Sequence, residues 1–178
     1  MKRAVQILIW TVLSINVIIF LAPQNLQMPV SGADHNSYHP KSFWYVNRSN
    51  STIHKGVDIF AERGTSVKAA TAGLVLLATE YGKGGKFVII LGPRLRLHYY
   101  AHLNEIKTFG MSFVTKNSVI GTVGDTGDAG TTPSHLYYAI CTLIPYPWRI
   151  DHTTSGWKKM FYLNPIAYLE EAENSPQK

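Results

Sequence analysis

A shortage of cysteine and of charge is the first feature of this sequence. Its single cysteine, Cys141, cannot form an internal disulfide, so no disulfide framework stabilises the fold. The strand-like context of Cys141 favours a buried, small apolar side chain at this position. Charged residues are 16% of the 178 residues and apolar residues 46%, which excludes a disordered polyelectrolyte and allows a sizeable core.

Long runs of basic residues and internal repeats are absent as well. The formal net charge of +6 suits an anionic partner, which could be a nucleic acid, a membrane surface or a cell wall. Because no stripe of basic and aromatic residues accompanies this charge, we expect no nucleic-acid partner.

The N-terminus contains the one long apolar run, from Ala4 to Ala22, and Lys2 and Arg3 precede it. A helix of roughly 19 residues would extend about 28 Å, close to the hydrocarbon thickness of a bilayer. We therefore predict that residues 1–22 form a single-pass inner-membrane anchor, with the remainder in the periplasm or outside the cell. A cleaved signal peptide is the alternative, although residues 19–23 contain no clear small-x-small cleavage site.

Three further regions follow the predicted anchor. Residues 23–52 are polar, and their prolines exclude a long helix, but their aromatic residues indicate that this leading segment packs against a domain. The domain is expected over residues 53–170, and residues 171–178 form a tail.

Between residues 56 and 142, short β-branched runs alternate with glycine about every ten residues. No helical run separates them, which predicts an all-β fold of open sheets rather than a parallel α/β fold. The expected strands are 57–60, 66–70, 74–79, 86–91, 95–101, 118–123 and 135–143, and residues 166–172 are expected to form a short terminal helix.

The first motif with chemical potential is His54-Lys55-Gly56-Val57-Asp58. A histidine and an aspartate that flank a glycine turn can present an imidazole nitrogen and a carboxylate to one point, and both are zinc ligands at about 2.0–2.2 Å. By itself, this pattern is also typical of polar residues at a surface turn.

Two more histidines lie at the end or start of apolar strands, in Tyr100-Ala101-His102-Leu103 and in His135-Leu136-Tyr137-Tyr138. Strand alternation places His135, Tyr137, Ala139 and Cys141 on one face, and Leu136, Tyr138 and Ile140 on the other. His135 and Tyr137 would be roughly 6.6–7 Å apart along the strand, near enough to reach one site.

The order of these motifs resembles the lysostaphin-type zinc endopeptidases. The resemblance covers roughly residues 28–170 and marks 53–170 as a peptidase domain. It implies an antiparallel β fold with an open groove, called the duplicated hybrid motif, and a zinc-dependent metalloendopeptidase that hydrolyses peptide bonds of peptidoglycan in cell-wall remodelling. The matching segments are Met28-Pro29-Val30-Ser31, His54-x-x-x-Asp58-Ile59 with Gly64-Thr65-x-Val67-x-Ala69, Tyr100-Ala101-His102-Leu103, and Gly121-Thr122-Val123-Gly124-x-Thr126-Gly127 followed by His135-Leu136.

Carried over residue by residue, the resemblance implies His54 and Asp58 as Zn²⁺ ligands and His102 and His135 as catalytic histidines. The family's third ligand is a histidine where this sequence has Tyr137. In one interpretation Tyr137 binds zinc as a phenolate, because a nearby dication favours the anion. In the other, the metal site is degenerate, and the chain is a non-catalytic cell-wall-binding module or a regulator of wall hydrolases.

Other histidines and aromatic residues leave alternatives open. His98 is expected on the same strand face as Tyr100 and His102, either as a substitute ligand or, as we prefer, as a packed or surface residue. No role is assigned to His35, His39 and His152. Four aromatic residues either line a groove for glycan or stem peptide or pack in the core: Trp44, Tyr45, Trp148 and Trp157.

Overall fold

The computed structural model describes residues 3–7, 9–11, 14, 24, 26–47 and 52–174. Within these residues the fold is built from antiparallel strands, and every strand pairing in the main sheet runs in that direction. The predicted all-β, antiparallel fold is therefore confirmed. The strands are β1 (Tyr45–Asn47), β2 (Thr52–His54), β3 (Val57–Phe60), β4 (Ser66–Lys68), β5 (Gly73–Glu80), β6 (Lys86–Gly92), β7 (Arg96–Ile106), β8 (Phe113–Val114), β9 (Val119–Val123), β10 (His135–Thr142) and β11 (Tyr162–Leu163).

The helices are short. Helix α1 (Pro165–Asn174) begins with proline, and the side chain of Asn164 accepts a hydrogen bond from the backbone of Ile166 at 3.1 Å, which caps the first turn. Ile166 and Leu169 are buried, so α1 packs one apolar face on the sheet. The 3₁₀ turns are His35–Ser37, Gly82–Gly84, Pro93–Leu95, Gly127–Ala129, Pro147–Arg149 and Gly156–Met160.

The main sheet has the order β11-β10-β7-β6-β5-β8, and β10 also pairs with β3 while β9 joins β7 to β4. Strand β10 is therefore central, with β7 on one side and β3 and β11 on the other. Strands β1 and β2 form a separate two-stranded hairpin that ends at His54. This topology places β3, β7 and β10 side by side in the main sheet, and the hairpin lies next to one face of these strands.

The core lies on the opposite face. Its largest fully buried side chains include Tyr100 of β7 and Tyr138 of β10, whose ring centroids are 5.1 Å apart. Leu26, Val30 and Tyr38 of the leading segment also belong to this core, so that segment packs against the domain. Burial of such apolar side chains is the main favourable contribution to the stability of the fold.

The predicted anchor lies partly outside the described residues. Of the apolar run, residues 4–7, 9–11 and 14 are described and helical. Among the residues that the structure describes, no helix has the length and apolar character needed to cross a membrane. The membrane anchor therefore stays a prediction.

Candidate functional site

His54 and Asp58 meet across the turn between β2 and β3. Nε2 of His54 lies 3.0 Å from Oδ1 of Asp58. Gly56, in the turn between them, is buried, and a Cβ at this position would lie 2.8 Å from Cζ of Tyr137. Glycine thus allows the turn to approach β10 closely, and the two polar groups converge on one point, as their spacing indicates.

Strand β10 brings His135 and Tyr137 to the same place. In the pairing of β10 with β3, Tyr137 lies opposite Asp58 and His135 opposite Phe60. Nε2 of His135 is 3.7 Å from Oδ1 of Asp58. The alternation predicted for β10 agrees with the structure, because Leu136, Tyr138 and Ile140 are fully buried on the other face.

His102 reaches the site through an unusual backbone conformation. Ala101 pairs with Tyr137 and faces the groove, so simple alternation would turn His102 into the core with His98 and Tyr100. Instead, His102 has φ of 62°, in the left-handed region, and its ring centroid lies 5.1 Å from that of His135. The expectation that these three residues share a strand face is therefore wrong for His102, because a left-handed residue interrupts the alternation.

The three site histidines are oriented in the same way. Nδ1 of His54 lies 3.1 Å from the carbonyl oxygen of Ser42, Nδ1 of His102 lies 2.9 Å from that of Thr126, and Nδ1 of His135 lies 2.8 Å from that of Pro133. A carbonyl only accepts hydrogen bonds, so each Nδ1 carries a proton and donates it. Nε2 is then the nitrogen that each ring presents to the groove, which is the arrangement that orients metal-binding and catalytic histidines.

The electrostatics of the site couple His54 to Asp58. Burial lowers the pKa of His54, but the hydrogen bond and the charge of Asp58 outweigh this effect, and the pKa is raised. Burial raises the pKa of Asp58, but His54 and then the other histidines lower it below its ordinary value. Each group of the pair thus stabilises the charged form of the other.

His102 differs from His54 in the direction of its pKa shift. Burial lowers the pKa of His102, and the neighbouring charge of His135 acts in the same direction, although the hydrogen bond with the Thr126 backbone opposes both. A lowered pKa keeps His102 neutral at pH 7, so that its Nε2 can accept a proton.

Tyr137 occupies the centre of this arrangement. Its ring centroid is 5.3 Å from that of His54 and 6.0 Å from that of His102, with edge-to-face geometry in both cases. Burial raises the pKa of the Tyr137 hydroxyl, the charge of Asp58 adds to this effect, and a backbone hydrogen bond with Lys55 opposes it. The surroundings therefore favour the neutral hydroxyl.

A zinc ion would find two suitable donors here, Nε2 of His54 and Oδ1 of Asp58. In the part of the chain that the structure describes, no group of three or more His, Cys, Asp or Glu side chains is arranged to hold a metal ion. A third protein ligand would have to be of another type, and Tyr137 lies beside both donors. The residues thus offer a zinc ion two ordinary ligands, and the ring of Tyr137 lies next to that of His54.

The remaining histidines lie elsewhere. His98 is fully buried in the core, where Nδ1 is 2.7 Å from the hydroxyl of Tyr138, so it is a packed residue rather than a substitute ligand. His35 lies beside Glu173 at 3.9 Å, and the backbone N–H of Lys41 donates to His39. None of these residues, nor His152, lines the groove.

The groove itself has a volume of about 650 Å³. Of the four aromatic residues considered above, Tyr45 lines it, whereas Trp44 packs against Phe43 and Tyr162. Sequence motifs did not indicate several other lining residues, whose signals are weak because they lie in loops or hairpins: Ser42, Thr52, Ile53, Lys83, Gly84, Asp128, Ala129 and Thr132. Asp128 is placed with its carboxylate 4.0 Å from Nε2 of His102.

Comparisons with known proteins agree with this geometry. The chain is 38% identical over 97 residues to the L-Ala--D-Glu endopeptidase of Bacillus subtilis (strain 168), which covers 49% of this chain and 29% of that protein. It is 33% identical over 91 residues to lysostaphin of Staphylococcus staphylolyticus, which covers 50% of this chain and 18% of that protein. The chain thus spans less than a third of the length of these relatives.

A solved structure shows the same fold. The catalytic domain of lysostaphin from Staphylococcus simulans superposes with a TM-score of 0.52 at 26% identity, covering 68% of this chain and 82% of that domain. Residues 52–144, which contain all five predicted site residues, match the model described as Peptidase family M23. The predicted resemblance to lysostaphin-type endopeptidases is confirmed, and the chain belongs to peptidase family M23.

Proposed function

We propose that this chain is a zinc-dependent endopeptidase that hydrolyses peptide bonds of peptidoglycan. The observation that carries the proposal is the shared orientation of His54, His102 and His135, each with Nδ1 held by a backbone carbonyl and Nε2 facing one groove. A purely structural set of histidines has no need for three matched orientations beside a half-buried carboxylate. The names of two relatives, L-Ala--D-Glu endopeptidase and lysostaphin, support the choice of substrate.

His54 and Asp58 would hold the zinc ion, with the hydroxyl of Tyr137 as the third protein donor. When bound, zinc supplies polarisation of the scissile carbonyl and a lower pKa for a coordinated water. The Nδ1–H bond from His54 to Ser42 fixes the ring so that Nε2 is the donor atom. Metal binding then requires the loss of the Nε2 proton that His54 shares with Asp58.

His135 and His102 would move protons. His135 lies 3.7 Å from Asp58 and next to the donor pair, which suits a base that accepts a proton from the attacking water. His102, neutral because of its lowered pKa, lies on the side of the groove near Asp128 and can hold a proton and deliver it to the leaving amine. Both rings are fixed through Nδ1, so little reorientation is needed during the reaction.

The test uses the purified full-length chain. We expect about one zinc ion per chain by elemental analysis, release of soluble muropeptides from sacculi, and loss of release on chelation. His54→Ala and Asp58→Ala should abolish both zinc and release, because each removes one of two ordinary ligands. His152→Ala, which changes an exposed histidine outside the groove, is the matched control. Release that survives chelation and both substitutions would refute the metal mechanism.

Tyr137 favours a second candidate, a wall-binding module or a regulator of wall hydrolases. Its neutral hydroxyl is a weaker ligand than the imidazole that the family has there. This candidate expects retention of the chain on sacculi, no zinc after purification and no muropeptide release. The same preparations therefore distinguish the two functions.

We also propose that residues 1–22 anchor the chain in the inner membrane, with the peptidase domain in the periplasm or outside the cell. The support is the apolar run after Lys2 and Arg3 and the location of peptidoglycan itself. Membrane fractionation of the full-length chain, with protease added to spheroplasts, tests this placement. Recovery in the soluble fraction at full length would contradict the anchor.

A further inference from the structure

The main sheet has two different ends along the direction of its strands. The strand pairings align one row of residues across β8, β5, β6, β7 and β10: Phe113, Leu74, Leu91, Leu97 and Cys141. The starts of β5 and β7 and the end of β10 therefore meet at one end, which we call the basal end. His135, at the start of β10, lies at the other end with the groove. At about 3.3 Å per residue, Leu143 is roughly 20 Å from Tyr137 along the chain of β10.

The two ends of the sheet differ in charge. Four segments outside the strands lie at the basal end: residues 69–72, 93–95, 115–118 and 143–150. Their charged residues are all basic: Arg94, Lys116 and Arg149. The next acidic residue of the chain, Asp151, is paired with Lys159. The segments at the groove end instead mix basic residues with acidic ones: Glu62, Glu80, Asp125 and Asp128. An anionic surface is therefore attracted to the basal end.

Exposed apolar side chains also lie at the basal end. Phe113 is 84% exposed, Trp148 is 78% exposed and Leu143 is 55% exposed. The backbone N–H of Leu143 donates to the carbonyl of Leu95, so the segment with Trp148 begins beside the turn between β6 and β7. The ring of Trp148 stacks on that of Tyr146, with centroids 5.1 Å apart. Exposed aromatic residues with apolar and basic neighbours are typical of a surface that lies at the interface between membrane and water.

The chain also enters the domain at the basal end. The side chain of Gln24 donates to Nε2 of His98 at 3.1 Å and accepts from the guanidinium of Arg96, the first residue of β7. Only Pro23 separates Gln24 from residues 1–22, the proposed anchor. Two residue steps extend at most about 7 Å. The headgroup layer on each side of a bilayer is roughly 5–8 Å thick, so an anchor at residues 1–22 holds the basal end at the membrane surface.

We propose that the basal end docks on the anionic lipid surface of the membrane that holds residues 1–22. The docking surface, which we call the basal face, consists of apolar and basic side chains: Arg94, Phe113, Lys116, Leu143 and Trp148. This inference rests on the proposed anchor and goes beyond it, because docking fixes the orientation of the domain, whereas an anchor alone leaves the domain free to rotate. The groove then opens about 20 Å above the lipid surface and faces the peptidoglycan.

The experiment places the full-length chain in vesicles of phosphatidylglycerol that carries bromine near the top of its acyl chains, where it quenches tryptophan at the interface. Flotation with the vesicles reports the anchor, and quenching reports the basal face. Every chain carries Trp10→Phe, which removes the tryptophan of the anchor. Adding Trp148→Phe should reduce the quenched emission at least threefold. Adding Trp44→Phe is the matched control and should leave it unchanged, because Trp44 packs against Phe43 and Tyr162.

Charge is tested in the same vesicles. Arg94→Gln combined with Lys116→Gln should reduce the quenching of Trp148 at least twofold, because the attraction to anionic headgroups is weakened. Replacing phosphatidylglycerol by brominated phosphatidylcholine should have the same effect on the chain with both basic residues. Lys41→Gln is the matched control, since Lys41 is exposed and precedes Ser42, which lines the groove.

A chain that floats with the vesicles but whose quenching does not depend on Trp148 would overturn the docking and leave the anchor intact. Shielding of Trp148 from iodide without quenching by brominated lipid would indicate a protein neighbour, such as a second copy, and would also overturn it. A chain that does not float would contradict the anchor and the docking together. Normal quenching in a chain that releases no muropeptides would support the basal face while contradicting the proposed catalysis.

Discussion

The backbone carbonyl of Thr126 lies 2.9 Å from Nδ1 of His102, and the side chain of the same threonine bonds to residues of β6 and β7. Its hydroxyl accepts from the backbone N–H of Lys86 at 2.9 Å and donates to the carbonyl of Leu103 at 2.8 Å. Thr126 therefore links β6 to β7 and also orients the ring of a proposed catalytic histidine. Since His102 itself is in a left-handed conformation, it depends on such neighbours to stay in place.

Thr126→Val should lower both stability and activity. Valine has nearly the same shape, but it leaves the N–H of Lys86 and the carbonyl of Leu103 without a partner, which costs about 2 kcal/mol. We expect this loss in the free energy of unfolding from chemical denaturation, and a lower rate of muropeptide release at temperatures where the chain remains folded. Thr115→Val, which affects an exposed threonine bonded to Ser118, should change stability by less than about 0.5 kcal/mol. Equal effects of the two substitutions would contradict this role.

The loop that contains Gly127 and the loop that contains Lys83 pack backbone against backbone at the rim of the groove. Gly127 has φ of 74°, and a Cβ there would collide with the carbonyl of Lys83. Gly127→Ala should therefore cost about 2 kcal/mol or more, through both strain and the forced separation of the loops. Gly130→Ala is the matched control, since a Cβ at Gly130 meets its nearest atom at 3.7 Å. Thermal unfolding of the two variants measures the difference, and similar midpoints would contradict the close packing.

The sequence predicted the long strands that carry the site residues but not the short strands and loops that surround the groove. Long alternating runs such as β10 placed His135 and Tyr137 on one face, because period-two patterning is unambiguous when one face is buried. The chief omissions are four short strands, β1, β2, β8 and β11, each with two or three residues. Their pairing is decided by tertiary contacts, and so few residues carry no periodic signal.

His102 shows a second limit of sequence reasoning. Its motif grouped it with the other site histidines, while strand alternation put it on one face with His98 and Tyr100, and its left-handed backbone turns the ring towards the groove. Histidine at position 102 signals this conformation only weakly, because glycine is by far the commonest residue at positive φ. The carbonyl partners of the three histidines are likewise invisible in the sequence, because they are backbone atoms of loops.

Tyr137 decides which of the two proposed functions operates. If its hydroxyl is a ligand, Tyr137→Phe should weaken zinc binding at least tenfold and abolish muropeptide release, because phenylalanine keeps the ring and removes the donor atom. Tyr137→His should keep zinc, since imidazole is an ordinary ligand. Zinc content by elemental analysis and competition with a chromophoric chelator measure both.

The opposite result would be equally specific. If the wild-type chain has neither zinc nor activity and Tyr137→His has both, the native site is degenerate and the binding module is favoured. Tyr99→Phe is the control for the loss of a hydroxyl, because Tyr99 also lines the groove and its ring centroid is 6.0 Å from that of Tyr137.

His98 is part of a buried polar chain in the core. The amide of Gln24 donates to Nε2 of His98 at 3.1 Å, so Nδ1 carries the proton and donates to the hydroxyl of Tyr138 at 2.7 Å. Burial, with a further contribution from the charge of Arg96, lowers the pKa of His98 to about 3. The folded chain therefore keeps this histidine neutral far below the ordinary pKa of the unfolded state, 6.5.

This difference predicts that acid destabilises the fold through His98. Between pH 6.5 and about pH 3 the unfolded chain binds a proton at His98 and the folded chain does not, so stability falls as the pH falls through this window. From pH 7 to pH 5 the loss should be about 2 kcal/mol. His98→Asn, whose amide can still donate to Tyr138, should be less stable at pH 7 but lose about 2 kcal/mol less than the wild-type chain on going to pH 5. Urea denaturation at the two pH values measures this, with His152→Asn as the exposed control, and an unchanged pH dependence in His98→Asn would show that His98 is protonated in the folded chain.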